Sequence, residues 1–512
     1  MAGKGKRFTK KEWSWIMYDW ANSIYATNIM AAIYPTIFAS QVEGGDIRWG
    51  YATSAATLIV ALLAPVLGAV ADYKGMKKKL FALFMLVGVF FTPLMVFTGH
   101  WQVALIGYVI SRIGFSGSCL FYDSFLTDVT TDERMDKVSS WGYAMGYIGG
   151  STIPFVISIA VLLLCDYSPF AMTFSVLIVS VWWLVFSIPM LKNVTHEHYV
   201  EKPENLTLKG IFAGVMATFR RICTNRGLLF FILAYFFYID GVDTVISIST
   251  AYGATLGLGA TGMILALLVT QIVAVPCSIL FARLADRFSA RKALIGAVCV
   301  YLVVCMVGFY MGYSMEPAQK AYDDVFAGLY ESEQVPEEYM DAAKKIVADI
   351  KDIRLKNTDE LYKYLTPLSE DEAGSLSAEE AFKYSFASAV NAAADAGTDK
   401  KEAFQGAIHV STILFWIMAA MVGTVQGGIQ AVSRSYFGKL IPKERSNEYY
   451  GFFDIFGKFA SFLGPVIYST MAALTGRSSY GVLGLALLFL AGLALLLFGK
   501  EHFSRLERHG VE

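Results

Sequence analysis

Charge is scarce in this chain. Of its 512 residues only 17% are Asp, Glu, Lys or Arg, where a soluble globular domain carries about 25%. Cysteine is scarce as well: Cys119, Cys165, Cys223, Cys277, Cys299 and Cys305 fall in or beside apolar stretches or in a basic loop, and imply no disulfide framework. There is no HExxH, no GxSxG and no nucleophile set beside a base, so the motifs of the common hydrolases are missing. The run from Gly451 to Lys458 is similar to a phosphate loop. Its spacing is one residue too long, however, and no Ser or Thr follows the lysine. These absences point away from an enzyme. No cofactor and no metal is expected, because two His at positions i and i+2 (His196, His198) do not share a helix face.

What the chain does have is apolar length. Hydrophobic residues make up 55% of it, with 37 Phe and 28 Tyr. Stretches of roughly 20 apolar residues, each enough to cross a hydrocarbon core of about 30 Å, occur at about 15–39, 49–71, 80–98, 103–126, 139–164, 170–191, 228–252, 261–282, 293–313, 407–437, 449–474 and 479–499. Twelve spans place both termini on one side. The loops on that side carry 27 Lys or Arg, while the short loops opposite carry Arg48 and Arg477. The positive-inside rule then makes both termini cytoplasmic, in a multi-pass protein of a bacterial cytoplasmic membrane.

The sequence repeats. GAVADYKGMKKK (68–79) after the second span returns as ARLADRFSARKA (282–293) after the eighth, with Asp72 and Asp286 214 residues apart. TDERMDKVSSWGYAMG before the fifth span returns as PKERSNEYYGFFDIFG before the eleventh, with Arg134 and Arg445 311 residues apart. The two offsets differ by about the length of an extra segment between spans nine and ten. The expected fold is an all-α membrane protein of twelve transmembrane helices in two pseudo-symmetric six-helix bundles. Its parts are a first bundle over 1–191, a cytoplasmic linker with an amphipathic helix over 192–227, a second bundle over 228–313 and 407–499, and a tail over 500–512. The insertion 314–406 holds 20 acidic and 10 basic residues. Helix starts at Pro336, at Ser369 with Glu372 and at Ser377 with Glu380 make it a helical extracytoplasmic cap.

Charges inside a span are functional hypotheses by default. Those enclosed are Asp19, Arg112, Asp123, Asp240, Asp243, Arg434, Asp454 and Lys458. Arg112 and Asp240 both fall near the midplane of equivalent spans, with Asp243 one turn beyond Asp240, so they either hold a substrate in a central cavity or pair structurally. Asp454 and Lys458, at i and i+4, either pair along their helix or touch substrate. Gln426, Gln430 and Arg434 form a polar stripe. Asp19 and Asn22 lie on a polar face near the cytoplasmic end of the first span. Gly142, Gly146 and Gly150 mark close helix packing.

GAVADYKGMKKK resembles the cytoplasmic gate loop of the major facilitator superfamily. That resemblance assigns gate roles to Gly68, Asp72, Gly75 and Lys77, and to Asp286 and Arg287 in the second copy, where Ala282 and Ala290 stand at the glycine positions. MYDWANSIYAT (17–27), FYDSFLTDV (121–129), FFYIDGVDTVI (236–246), QGGIQAVSRSYF (426–437) and EYYGFFDIFGKFASFLGP (448–465) are similar to the branch of the fungal vacuolar amino-acid effluxer and its bacterial relatives. The chain departs from that pattern at Asp123, Thr127, Ile239 and Asp243 and in the insertion. The resemblance implies an alternating-access secondary transporter for small solutes such as amino acids, an exporter coupled to protons being one form. A transporter of amphiphiles such as a lysophospholipid or a bile-acid-like solute, and a membrane sensor or scaffold using the acidic cap, are the alternatives. The expected partners are a small-molecule substrate and the lipid bilayer, with no nucleic acid, a monomeric chain, and the 314–406 cap open to an outside partner.

Overall fold

The computed structural model describes residues 7–31, 33–42, 45–97, 100–203, 207–331, 335–356, 362–366 and 375–509. In the first half, α1 (Lys10–Ile24) runs through a π-helical stretch (Tyr25–Ala31) into α2 (Ile33–Gln41). It is followed by α3 (Gly45–Ala71), α4 (Met76–Phe91), α5 (Trp101–Ser124), α6 (Asp132–Met145), a second π-helical stretch (Gly146–Thr152), α7 (Ile153–Leu164) and α8 (Pro169–Asn193). Beyond α9 (Leu208–Thr224) come α10 (Arg226–Thr255), α11 (Ala260–Phe288), α12 (Ala290–Glu331), α13 (Met340–Lys356), α14 (Ala378–Ala396), α15 (Thr398–Leu440), α16 (Ser446–Thr475), α17 (Ser478–Phe498) and α18 (Lys500–His509).

Among the described residues ten stretches are long and apolar enough to cross a membrane. The expected spans 15–39 and 449–474 are not among them. The first carries Asp19, Asn22 and Asn28, whereas α16 bears Glu448, Asp454 and Lys458 in its first half. Leu62, Phe90, Phe170, Ile272 and Leu487 point outward, while Asn28, Asp72, Lys77, Asp240 and Arg434 are buried. Polar groups turned inward and apolar ones outward are what a lipid-facing surface demands.

The repeat read from the sequence reappears in the packing. α1 packs on α8 as α10 packs on α17; α3 and α4 pack on α5 as α11 and α12 pack on α15; α1 packs on α6 as α10 packs on α16. Two contacts between the halves, α3 on α16 and α6 on α11, are exchanged by the same relation. The glycine ladder serves the contact of α1 with α6 and the π-helical stretch that follows it: a Cβ at Gly142 would meet Asp19, and one at Gly146 or Gly150 would meet Ser23.

α12 and α15 have 42 and 43 residues, about 63 Å of helix and twice the hydrocarbon thickness. Their outer ends, with α13 and α14, bury Tyr322, Phe326, Ile346, Ile350, Phe386, Val390 and Phe404 in a cluster of their own. Pro336 precedes a 3₁₀ turn leading into α13, and Ser377 with Glu380 forms the capping box of α14. The expected start at Ser369 and Glu372 lies outside the described residues.

Both termini lie on the face that carries the 72–75 loop: Arg134 grips Glu12 of α1 at 2.7 Å, and α18 packs on the first turns of α10. On this termini face the halves are locked. Asp72 accepts the Asn447 backbone N–H (2.9 Å), the Asn447 side-chain N–H (2.7 Å) and the Glu448 backbone N–H (3.0 Å). A carboxylate from one half thus satisfies free N–H groups in the first turn of α16 in the other, where the helix dipole also favours an anion. Gly68 lets α16 come close, since a Cβ there would strike the Asn447 carbonyl. Gly75 sits at φ +72°, which only glycine adopts freely. Lys77 is fully buried, pairs with Asp128 at 2.7 Å, and donates to Ser446 Oγ at 3.2 Å.

The linker is laced into the same lock. Val200 N–H donates to the Asp72 carbonyl (2.8 Å) and Lys74 N–H to the Val200 carbonyl (3.1 Å). Asp128 accepts the backbone N–H groups of Glu197 (3.1 Å) and His198 (2.9 Å) and faces His198 Nδ1 at 3.1 Å. The second loop copy does not mirror this. Asp286 and Arg287 are exposed, with Arg287 over the Phe288 ring. The residue with positive φ there is Ser289 (+99°), one position before Ala290.

Two outcomes follow. Asp72→Asn replaces one acceptor oxygen with an N–H₂ group facing a donor. Losing a buried hydrogen bond in this way costs about 1–3 kcal/mol. Hydrogen exchange at the Asn447 and Glu448 amides should therefore accelerate by roughly 5- to 150-fold, and unchanged exchange would reduce Asp72 to a topology signal. The Asp128 carboxylate raises the His198 imidazole above its ordinary value of 6.5, so the docked linker binds that proton more tightly than the free linker. Docking support is full below pH 6.5 and fades as the pH climbs through the raised value. Protection of the Val200 amide, corrected for intrinsic exchange, should follow that course and become pH-independent in His198→Ala.

Candidate functional site

Four of the charged residues enclosed by the helices, Asp123, Asp243, Arg434 and Asp454, line one cavity of about 160 Å³ between the halves. The first half contributes Leu120 and Asp123 from α5 and Tyr143 from α6. The second contributes Tyr235, Ile239 and Asp243 from α10, Gln430 and Arg434 from α15, and Tyr450, Phe453, Asp454 and Gly457 from α16.

Arg434 is its centre. Nη1 donates to Asp123 Oδ1 (2.9 Å), Nη2 to Asp19 Oδ2 (3.3 Å) and to the Ser139 carbonyl (3.1 Å), and Nε to Ser139 Oγ (3.0 Å). Its guanidinium carbon lies 4.5 Å from the Tyr143 ring and 4.7 Å from that of Trp15. One side chain from the second half is therefore held by α1, α5 and α6 of the first. The Tyr122 hydroxyl donates to Asp19 at 2.7 Å, and the Tyr450 hydroxyl to the Arg434 carbonyl at 2.8 Å. Arg434 is 4% exposed, against 33% for Asp123 and 27% for Asp454. The base is sealed in the wall, and those two carboxylates reach the void. Further rungs continue toward the termini face: Ser435 Oγ and Lys439 on Asp136 (2.5 and 2.6 Å), and Lys443 on Asp132 (3.1 Å).

Several expected positions move. Arg112 and Asp240 do not converge. Arg112 lies against the Met30 sulfur and 5.9 Å from the Phe115 ring, with no carboxylate partner among the described residues. It is eleven residues from Asp123 on α5, about 16 Å along the axis. Asp240 is fully buried within its own half, where it accepts the Gly464 N–H (2.9 Å) and the Thr244 hydroxyl (3.3 Å). It joins α10 to α16 instead of lining the cavity. Asn22 faces Cys119 Sγ at 3.6 Å, and neither it nor Gln426 lines the cavity. Asp454 and Lys458 pair along α16, with only Asp454 on the lining. Gln430 and Asp243 stand where the stripe and the one-turn spacing put them. Arg434 and Asp123 were visible as intramembrane charges, and Arg434 as the end of the stripe. Their assignment to the site needed the fold.

Removing Arg434 strands two carboxylates, and breaking a buried pair from one side costs about 3–5 kcal/mol. Arg434→Gln should lower the melting temperature of the purified protein by several degrees, and adding Asp123→Asn should recover part of that loss. Additive losses in the double variant would show that the two side chains do not act as a pair.

Residues 49–321 and 410–509 match the family described as vacuole effluxer Atg22 like. The chain is 36% identical to an uncharacterized MFS-type transporter, YxiO, of Bacillus subtilis, over 98% of this chain and 97% of that one. It is 23% identical to autophagy-related protein 22 of Cryptococcus neoformans over 76% of this chain, spanning 54% of that relative's length. Its fold is similar to the major facilitator superfamily transporter FucP in the outward conformation, with a TM-score of 0.56 and 12% identity, over 96% of this chain and 98% of FucP. It is also similar to a bacterial homologue of the iron transporter ferroportin in the outward-facing state, with a TM-score of 0.53 and 12% identity, over 98% and 99% of the two chains. The chain belongs to the vacuole effluxer Atg22-like family of major facilitator superfamily transporters: it is a multi-pass membrane transporter and not an enzyme.

Proposed function

We propose that the chain carries a small amino-acid-like solute through the Arg434 cavity by alternating access, with the termini face cytoplasmic and that face closed in the state described. The observation that carries this reading is the cavity itself, lined from both halves around a cross-half arginine. Its volume is about 160 Å³, and Asp123, Asp243, Asp454 and Arg434 line it. A lining so rich in charged and hydroxyl groups suits a short polar solute better than an acyl chain or a sterol skeleton, so the amphiphile reading is not favoured. The name of the fungal relative's family, vacuole effluxer, supports solute movement across a membrane and leaves the cargo to be found.

In this account a solute carboxylate competes with Asp123 for Arg434, and a proton arriving on Asp123 or Asp19 competes with Arg434 for that carboxylate. Either one removes a link between α15 and the first half. The rungs at Asp136 and Asp132 and the Asp72 contact can then part, and the cavity opens to the termini face. A proton carried on these carboxylates in one direction supplies the coupling.

Proteoliposomes preloaded with single amino acids should exchange label for at least one of them. Arg434→Lys, which keeps the charge but loses the planar fork, should slow exchange at least tenfold while the protein stays folded. A folded Arg434→Lys variant with full exchange would remove Arg434 from the transport path. For sidedness, a cysteine placed at Ala396 should react with an impermeant reagent in intact cells, whereas one at Lys79 should react only after permeabilisation. The reverse pattern would overturn the orientation.

A further inference from the structure

Arg112 lies half-buried in the middle of α5, and among the described residues no carboxylate answers it. A guanidinium carries five N–H donors, yet the acceptor it meets here is the Met30 thioether, a weak one. Its other close contact is the Phe115 ring at 5.9 Å, and its Nε is buried without a hydrogen-bond partner. Tyr25, stacked on Phe115 at 4.7 Å, and Tyr108, whose hydroxyl meets that of Thr53 at 2.9 Å, are close enough to feel the charge. Both are neutral phenols. An arginine inside a span is kept at a cost, and such residues mark solute paths or charged partners.

Its position on the helix links it to the Arg434 cavity. Eleven residues are about three helical turns, so Arg112 and Asp123 share one face of α5 about 16 Å apart. Cys119 falls on that face between them, where the Asn22 side chain of α1 meets its Sγ at 3.6 Å. α1 runs alongside this stripe: Asp19 stands with Asp123 at Arg434, Asn22 at Cys119, and Met30 at Arg112. At its termini-face end α5 reaches Ser124, whose carbonyl accepts Lys77 of the lock at 3.2 Å. Arg112 therefore lies beyond the cavity, on the side away from the closed face.

We infer that Arg112 is an anion subsite that receives the carboxylate of the incoming solute three helical turns before the Arg434 cavity. This rests on the reading of that cavity as the substrate site and adds a first station on the way to it. With the termini face shut, a solute enters from the opposite side and passes Arg112 first. The planar fork of N–H groups takes a carboxylate in two parallel hydrogen bonds. The stripe of Cys119 and Asn22 then leads to Arg434, where the same carboxylate competes with Asp123. The station makes the carboxylate a condition of entry, so an amide of the same solute binds poorly.

The test is calorimetric titration of the purified full-length protein at pH 6.5, where amino acids and their amides both keep the ammonium group. L-alanine, L-leucine, L-lysine and L-glutamate are each compared with the matching α-amide. Every amino acid that binds the wild type should do so at least tenfold tighter than its amide. In Arg112→Gln it should fall to the level of the amide, whose own affinity is unchanged, and Arg112→Lys should recover part of the loss. Removing Arg112 strands no described acid, so the variant should keep its melting transition. Arg112→Gln with the wild-type preference would overturn the subsite and leave the Arg434 reading standing, as would equal binding of acid and amide by the wild type. Binding of no amino acid would overturn both. If Arg112→Gln does not fold, labelling of wild-type arginines with p-hydroxyphenylglyoxal, mapped by mass spectrometry, decides the matter. The amino acid that binds should slow labelling of Arg112 at least tenfold, and its amide should not. Labelling that ignores the amino acid, or no labelling of Arg112, would overturn the subsite.

Discussion

A charge held away from water must have a partner, and for Arg434 and Asp72 the partners sit in the other half of the molecule. Arg434 leaves α15 to be gripped by Asp19, Asp123 and Ser139 from three helices of the first half. Asp72 leaves α3 to satisfy the first turn of α16. Each contact is favourable only while the halves are together. Parting them exposes an arginine, several carboxylates and a bare helix start to whatever fills the gap. On the termini face that filler is water, which solvates all of them. In the depth of the cavity, on the transport cycle proposed above, it is the cargo or a proton. The same pairs that hold the halves shut thereby decide what can open them.

The lock has layers, and each suits its depth. Nearest the solvent are Lys443 on Asp132 and Lys439 on Asp136, flexible ammonium groups that can find water quickly. Deeper lies Arg434, planar and surrounded by aromatic rings, where a fork of fixed N–H directions reads two carboxylates at once. Beside them the linker adds backbone contacts to the Asp72 loop and to Asp128, so the segment that joins the halves also reports whether they are closed.

Much of this was legible in the sequence. The repeats at Asp72 and Asp286, and at Arg134 and Arg445, announced two related halves, and the packing pairs obey that relation. Capping boxes read at Ser377, and the glycine ladder at 142, 146 and 150, depend on local spacing alone and stand where spacing put them. The Arg112–Asp240 convergence did not. Span position gives depth, but not which way a side chain turns, and Asp240 turns toward Gly464 within its own half. The partners of Asp72 were hidden for another reason: they are mostly backbone N–H groups, to which sequence gives no letter. The second gate loop keeps the aspartate but leaves it exposed, where Asp72 is buried.

The central claim is that the Arg434 cluster ties the cavity to closure of the termini face. It is tested most directly by measuring distance between spin labels at Lys79 and Glu444, both exposed on that face, in nanodiscs. The account predicts one dominant short distance in the wild type and a second, longer population in Arg434→Lys with the Asp72 contact left intact. An identical single distance in both proteins would contradict it.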